Sequence, residues 1–194
     1  MTRRKFKRPI GQRRYKKLFV IASEGAKTEP QYFKMLNAID SVIHFKCLKN
    51  KHDSSPEGVL KLMKGHIRSN SLKKTDEAWL VIDKDRWTDQ QINQLYSWSE
   101  EKDSYNLALS NPKFEYWLLL HFENGSGISS SRNCSERLER YLPDYNKDIQ
   151  ETKLKPKIRQ ATERAKAKDT PPCPDWPRRT GTTVYKLVEK LYAD

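Results

Sequence analysis

Apolar positions in residues 18–122 switch repeatedly between the continuous runs of buried strands and the three-and-four spacing of helices. "LFVIA" is β-branched and aromatic, and predicts a strand from Leu18 to Ala22. "EGAKTEPQYFKMLNAI" follows at once. Gly25 permits a tight turn, Thr28 is placed to be an N-cap, and Pro30 suits a first helical turn. Tyr32, Phe33, Leu36 and Ile39 then fall at helical spacing. A second strand is predicted over Val42–Leu48. Ser55 as N-cap and Pro56 as first helical residue open a helix with the stripe Val59, Leu60, Met63 and Ile67. "EAWLVID" is a run of the kind buried on both faces of a sheet. Thr88 or Asp89 caps a third helix carrying Ile92, Leu95, Tyr96 and Trp98. "YNLALSNP" is a fourth strand, ended by the turn signal Asn111–Pro112, and "KFEYWLLLHF" reads as a buried helix.

Strand and helix therefore alternate, which predicts an α/β fold with a mostly parallel four-stranded sheet flanked by helices. Ligands of such sheets bind beyond the carboxyl ends of the strands. After Phe122 the pattern changes to a Gly/Ser loop, helical spacing at about 134–142 and 155–168, a Pro-rich extended segment "TPPCPDWPRRTGTT", and a last amphipathic helix. The expected organisation is a basic arm (1–17), an α/β domain (18–122) and a C-terminal helical extension (123–194) packed on the same domain.

Charge sharpens this picture. The 194 residues carry a formal net charge of +13, but residues 1–17 hold nine Lys or Arg and no acid, leaving 29 basic against 25 acidic groups elsewhere. The arm, with Arg3, Arg4, Arg13 and Arg14, is suited to meet nucleic-acid phosphates by counterion release; its plainer reading is a solubilising tail. No apolar run approaches the ~20 residues of a membrane helix, so no membrane partner is expected. A secretory core is also missing from the basic N-terminus. Cys47, Cys134 and Cys173 are far apart with no CxxC pair, which fits a reduced, cytoplasmic protein.

Carboxylates supply the candidate chemistry. Glu24 follows the first strand and Glu29 stands at the start of the next helix; Asp83 and Asp85 follow the third strand. Placed at one sheet edge, they suit Mg²⁺ or Mn²⁺, which take hard oxygen ligands. Two aspartates at i and i+2 point the same way if the backbone stays extended. A lone D-x-D is a weak signal, and a glutamate at a helix start is often only a dipole partner. Their joint placement is what raises the metal reading. Glu115, in an otherwise apolar helix, is either another dipole partner or a site residue, with Asn111 a lesser candidate. Lys27, Lys84 and Arg86 are surface charges or, beside a metal, phosphate contacts. His121 reads as a packed core histidine, and His44, His52 and His66 show no ligand spacing. Trp87, if exposed, suits base stacking. Trp176, Arg178 and Arg179 suit either packing or binding.

The E-G after one strand and D-x-D after a later one resemble the Toprim fold of topoisomerases, primases and overcoming-lysogenization-defect nucleases. More narrowly, "ASEGAKTEPQYF", "VIDKDRW", "LSNPKFEYWLLLHF" and "GTTVYKLVEKL" are similar to the RloB family. These are Toprim-like proteins of bacterial phage-defence and restriction-associated loci. The resemblance runs from about Leu18 to the C-terminus. It implies a metal-dependent nuclease acting on DNA or RNA, in which Glu24 matches the Toprim glutamate and Asp83 and Asp85 the D-x-D. Glu29 is a further ligand by analogy, at a spacing of five where four is familiar in related nucleases. Relatives often act beside an ATPase. This chain carries no Walker A sequence, so nucleotide hydrolysis would belong to a separately encoded partner. The alternative is a non-catalytic nucleic-acid-binding or sensor subunit of a defence complex. Homo-oligomerisation is left open.

Overall fold

The computed structural model describes residues 17–36, 43–48, 53–143 and 145–192. The expectations for Arg3, Arg4, Arg13, Arg14, Ile39 and His52, and for the side chain of His44, lie outside the described residues.

Five strands form one sheet: β1 (Lys17–Ser23), β2 (Ile43–Leu48), β3 (Glu77–Asp83), β4 (Tyr105–Asn111) and β5 (Gly181–Thr182), in the order β2-β1-β3-β4-β5. The first three pairings are parallel and β4–β5 is antiparallel. Successive side chains of a strand face opposite sides, so an unbroken apolar run fills two cores. Phe19, Ile21, Trp79 and Val81 enter one; Val20, Ala22, Ala78, Leu80 and Ile82 enter the other.

The second core is closed by α2 (Pro56–Ser69), through Val59 and Met63, and by α3 (Asp89–Ser99), through Ile92, Leu95 and Trp98. The first is closed by α1 (Thr28–Met35), α4 (Phe114–Leu119), α5 (Ser131–Glu139), α6 (Glu151–Leu154), α7 (Ile158–Lys168) and α8 (Val184–Tyr192). Leu138, Leu154, Ile158 and Leu187 from beyond Phe122 thus share a core with β1 and β3. Caps fix the helix starts. Ser55 Oγ accepts from Gly58 N at 3.1 Å, and Thr88 forms a full capping box with Gln91.

The four-strand expectation is corrected to five. β5 has only two residues and follows a Pro-rich segment, so no periodicity announces it. Side chains seat it instead: Ser110 and Thr182 hydroxyls stand 2.8 Å apart, and Leu109 N donates to Thr183 Oγ1 at 2.9 Å. Thr28 is not an N-cap. Lys27 holds that position, and the buried Thr28 hydroxyl turns to Lys147 O at 3.3 Å. The apolar "KFEYWLLLHF" gives six helical residues, then turns bonded from His121 N to Leu118 O and Phe122 N to Leu119 O. Among the described residues, no helix is long and apolar enough to cross a membrane.

Candidate functional site

Because β1, β3 and β4 run parallel, their carboxyl ends share one edge. Glu24 leaves β1 with its N–H bonded to Val81 O at 3.1 Å; Asp83 closes β3; and Glu115 follows β4 in the first turn of α4. These three line one cavity of about 650 Å³ together with Glu29 and Asp85. Every sequence-predicted carboxylate is therefore present at it.

Each acid is gripped by the protein. Glu24 accepts from Trp87 Nε1, which lies 3.2 Å from both its oxygens, and from Asp83 N at 3.4 Å. Asp83 Oδ1 accepts from Phe114 N at 2.8 Å. Glu29 Oε1 accepts from Gly25 N at 2.9 Å. Asp85 Oδ1 accepts from Ser131 Oγ at 3.0 Å. Glu115 meets Tyr145 OH at 3.5 Å and lies 3.9 Å from Lys113 Nζ.

The glycine of the E-G pair now has a physical cause. A Cβ on Gly25 would stand 2.0 Å from Glu29 Oε2, so glycine is what lets that carboxylate reach the backbone.

Burial and mutual repulsion load Asp83, Glu29 and Glu24 toward protonation. Desolvation raises Asp83 well above the ordinary carboxylate range, and the charges of Glu29, Glu24 and Glu115 raise it further. Burial pushes Glu29 up to about 7. Burial also raises Glu24, against the opposing hydrogen bond from Trp87.

Two expectations change. The extended D-x-D does not form: β3 ends at Asp83, and Asp85 takes φ of 26° in a turn closed by Trp87 N bonding to Lys84 O at 2.9 Å. Asp85 still reaches the cavity, but from a connecting loop tied to α5. Trp87 is half-buried, packs against the second core and donates to Glu24, so it braces an acid rather than standing clear for a base.

The cations divide. Lys27 lines the cavity at its rim, paired with Asp148 at 3.0 Å. Lys84 and Arg86 do not line it: Lys84 binds Trp87 O and pairs with Asp89 at 3.2 Å, and Arg86 lies over the Trp87 ring at 5.1 Å. Sequence reasoning missed Lys113 and Lys147, which do line it. The available signal for Lys113 was its position between the β4 turn and α4, at the same edge as Glu115.

The remaining candidates are structural. His121 is fully buried and lowered to about 4 by desolvation; with Trp117 O 3.1 Å from Nδ1, its Nε2 is left to accept from Tyr32 OH at 3.1 Å. Asn111 Nδ2 donates to Pro177 O at 3.1 Å. Trp176 is buried under Arg178, 3.8 Å above its ring.

Six carboxylates line the cavity, the five above and Asp53, and form a hard-oxygen donor set; a divalent cation would relieve the repulsion that adds to the burial raising Asp83. The chemistry of the set fits Mg²⁺ or Mn²⁺. As the side chains lie, no three His, Cys, Asp or Glu among the described residues form a ready-made cage, because the acids face protein donors.

The fold defines the class: an α/β protein with a five-stranded, mostly parallel sheet between helices, and an acidic cavity at the carboxyl edge. A family model of RloB-like proteins matches residues 19–191, and the chain belongs to that family. No curated protein and no solved structure matches it significantly.

Proposed function

We propose that this is a metal-dependent nuclease of Toprim type that hydrolyses phosphodiester bonds of DNA or RNA as the effector of a bacterial anti-phage system. One observation carries the reading: parallel strands bring Glu24 and Asp83, some sixty residues apart in sequence, into one cavity with Asp85, Glu29 and Glu115. Glu24, Asp83 and Asp85 would hold Mg²⁺ or Mn²⁺, with Glu29 and Glu115 as further ligands. Bound there, such an ion supplies an activated water and charge stabilisation for phosphodiester hydrolysis. The residues' own part is to line, with several ionisable oxygens, a space large enough for a backbone phosphate. Lys27 at the rim and the basic arm would draw in the polyanion. If nucleotide hydrolysis takes part, it would belong to a separately encoded ATPase, since the chain has no Walker A sequence of its own.

A second reading, a non-catalytic nucleic-acid-binding or sensor subunit, is favoured by the protein donors that already engage the acids. The two separate on cleavage. Purified protein with Mn²⁺, alone and with any ATPase encoded beside it, is offered tRNA, plasmid and single-stranded DNA. The nuclease reading expects metal-dependent cuts in at least one of these and none in EDTA. Intact substrates throughout would leave the sensor reading.

A further inference from the structure

Lys113 is a cation on an acidic wall, ion-paired with Glu115 at 3.9 Å but not hydrogen-bonded to it. It directly precedes α4, and the next N–H, that of Phe114, holds Asp83 at 2.8 Å. Its side chain is 21% exposed and lines the cavity. An ammonium has three donors. Among the described residues Lys113 Nζ donates one hydrogen bond, to Ser135 Oγ of α5 at 2.6 Å. Glu115, at 3.9 Å, is beyond hydrogen-bond reach. If Lys113 served only to neutralise Glu115, the neutral Ser135 would not be its close partner. The other nearby cations are committed elsewhere or stand outside: Lys27 is bonded to Asp148 and to Asn146 O, Lys84 to Asp89, and Lys147 is exposed on the rim.

A cation with spare donors, backed by a hydroxyl and facing a space between carboxylates, is arranged for an anion that enters that space. We propose that Lys113 grips a substrate phosphate inside the cavity, with Ser135 holding the ammonium in position. The inference rests on the nuclease reading for its substrate, a nucleic-acid backbone. An ammonium meets a phosphate as a point charge, with charge-assisted hydrogen bonds to its oxygens.

Loss of one phosphate contact is read in the salt dependence of binding, which needs no catalysis. A labelled single strand of about 12 nucleotides is bound to the full chain at a fixed Ca²⁺ concentration, in place of Mg²⁺ or Mn²⁺, across a KCl series. Lys113→Gln is expected to make the slope of log K against log[KCl] shallower by about 0.7, and Lys113→Arg to keep the wild-type slope. An unchanged slope in Lys113→Gln overturns the proposal. Circular dichroism identifies a variant that fails to fold, in which case Lys113→Met replaces it with the same two outcomes. A shallower slope, together with wild-type protein that cuts nothing in Mn²⁺, would defeat the nuclease reading and leave the phosphate contact standing.

Discussion

Glu24 and Glu29 are five residues apart but meet water differently. Glu24 keeps partial access to solvent, whereas Glu29 is 4% exposed and binds its proton up to about pH 7, against an ordinary 4.5. The sign of the consequence follows from linkage. The folded state holds this proton more tightly than the unfolded chain, so the stability it contributes is full below about pH 4.5 and is lost as pH rises through about 7. The loss is on the order of 3 kcal/mol for the metal-free protein. Glu29→Gln keeps an oxygen for Gly25 N and cannot ionise. Thermal unfolding in EDTA from acid to mildly alkaline pH is therefore expected to show a steeper decline for wild type than for this variant. Parallel curves would mean that Glu29 does not titrate in this window.

At the scale of elements, Glu24, Asp83 and Asp85 each arrive on one connection and are held by another. Glu24 follows β1 and is held from the β3–α3 turn by Trp87; Asp83 ends β3 and is held from α4; Asp85 is held from α5. Partners that orient metal ligands are typically worth tenfold or more in metal affinity. Trp87→Phe keeps the ring in its packing and removes the indole N–H. It is expected to weaken Mn²⁺ binding by about tenfold in calorimetric titration with the melting temperature nearly unchanged; unchanged affinity would make the Trp87–Glu24 contact incidental to metal. These cross-connections also mark what a sequence displays. The runs "LFVIA" and "EAWLVID" display their strands because burial on both faces forces continuous apolarity. Parallel order then places Glu24 and Asp83 at one edge. The turn that swings Asp85 out of the strand, the two-residue β5 and the Lys113–Ser135 contact depend on partners distant in sequence. No local periodicity encodes them.

Across the whole molecule, charge is divided by place. Most of the +13 excess lies in the N-terminal arm, and the acids that line the cavity lie at the carboxyl edge of the sheet. A polyanion would be attracted by the first and tolerated at the second only with cations present, which is the electrostatic form of metal dependence. The helices after Phe122 belong to this design: α5 supplies Ser131 to Asp85 and Ser135 to Lys113 while sharing a core with β1 and β3. Asp83 is where the account is most exposed, because burial, with the charges of Glu29, Glu24 and Glu115 adding to it, raises it well above the ordinary carboxylate range. Asp83→Asn retains an oxygen for Phe114 N and so preserves the fold. With Mn²⁺ and a substrate that wild type cuts, the variant is expected to lose at least about a hundredfold in cleavage rate, ~2.7 kcal/mol of transition-state stabilisation, at an unchanged circular dichroism spectrum. Cleavage within a few-fold of wild type would contradict the assignment of this cavity as the nuclease site.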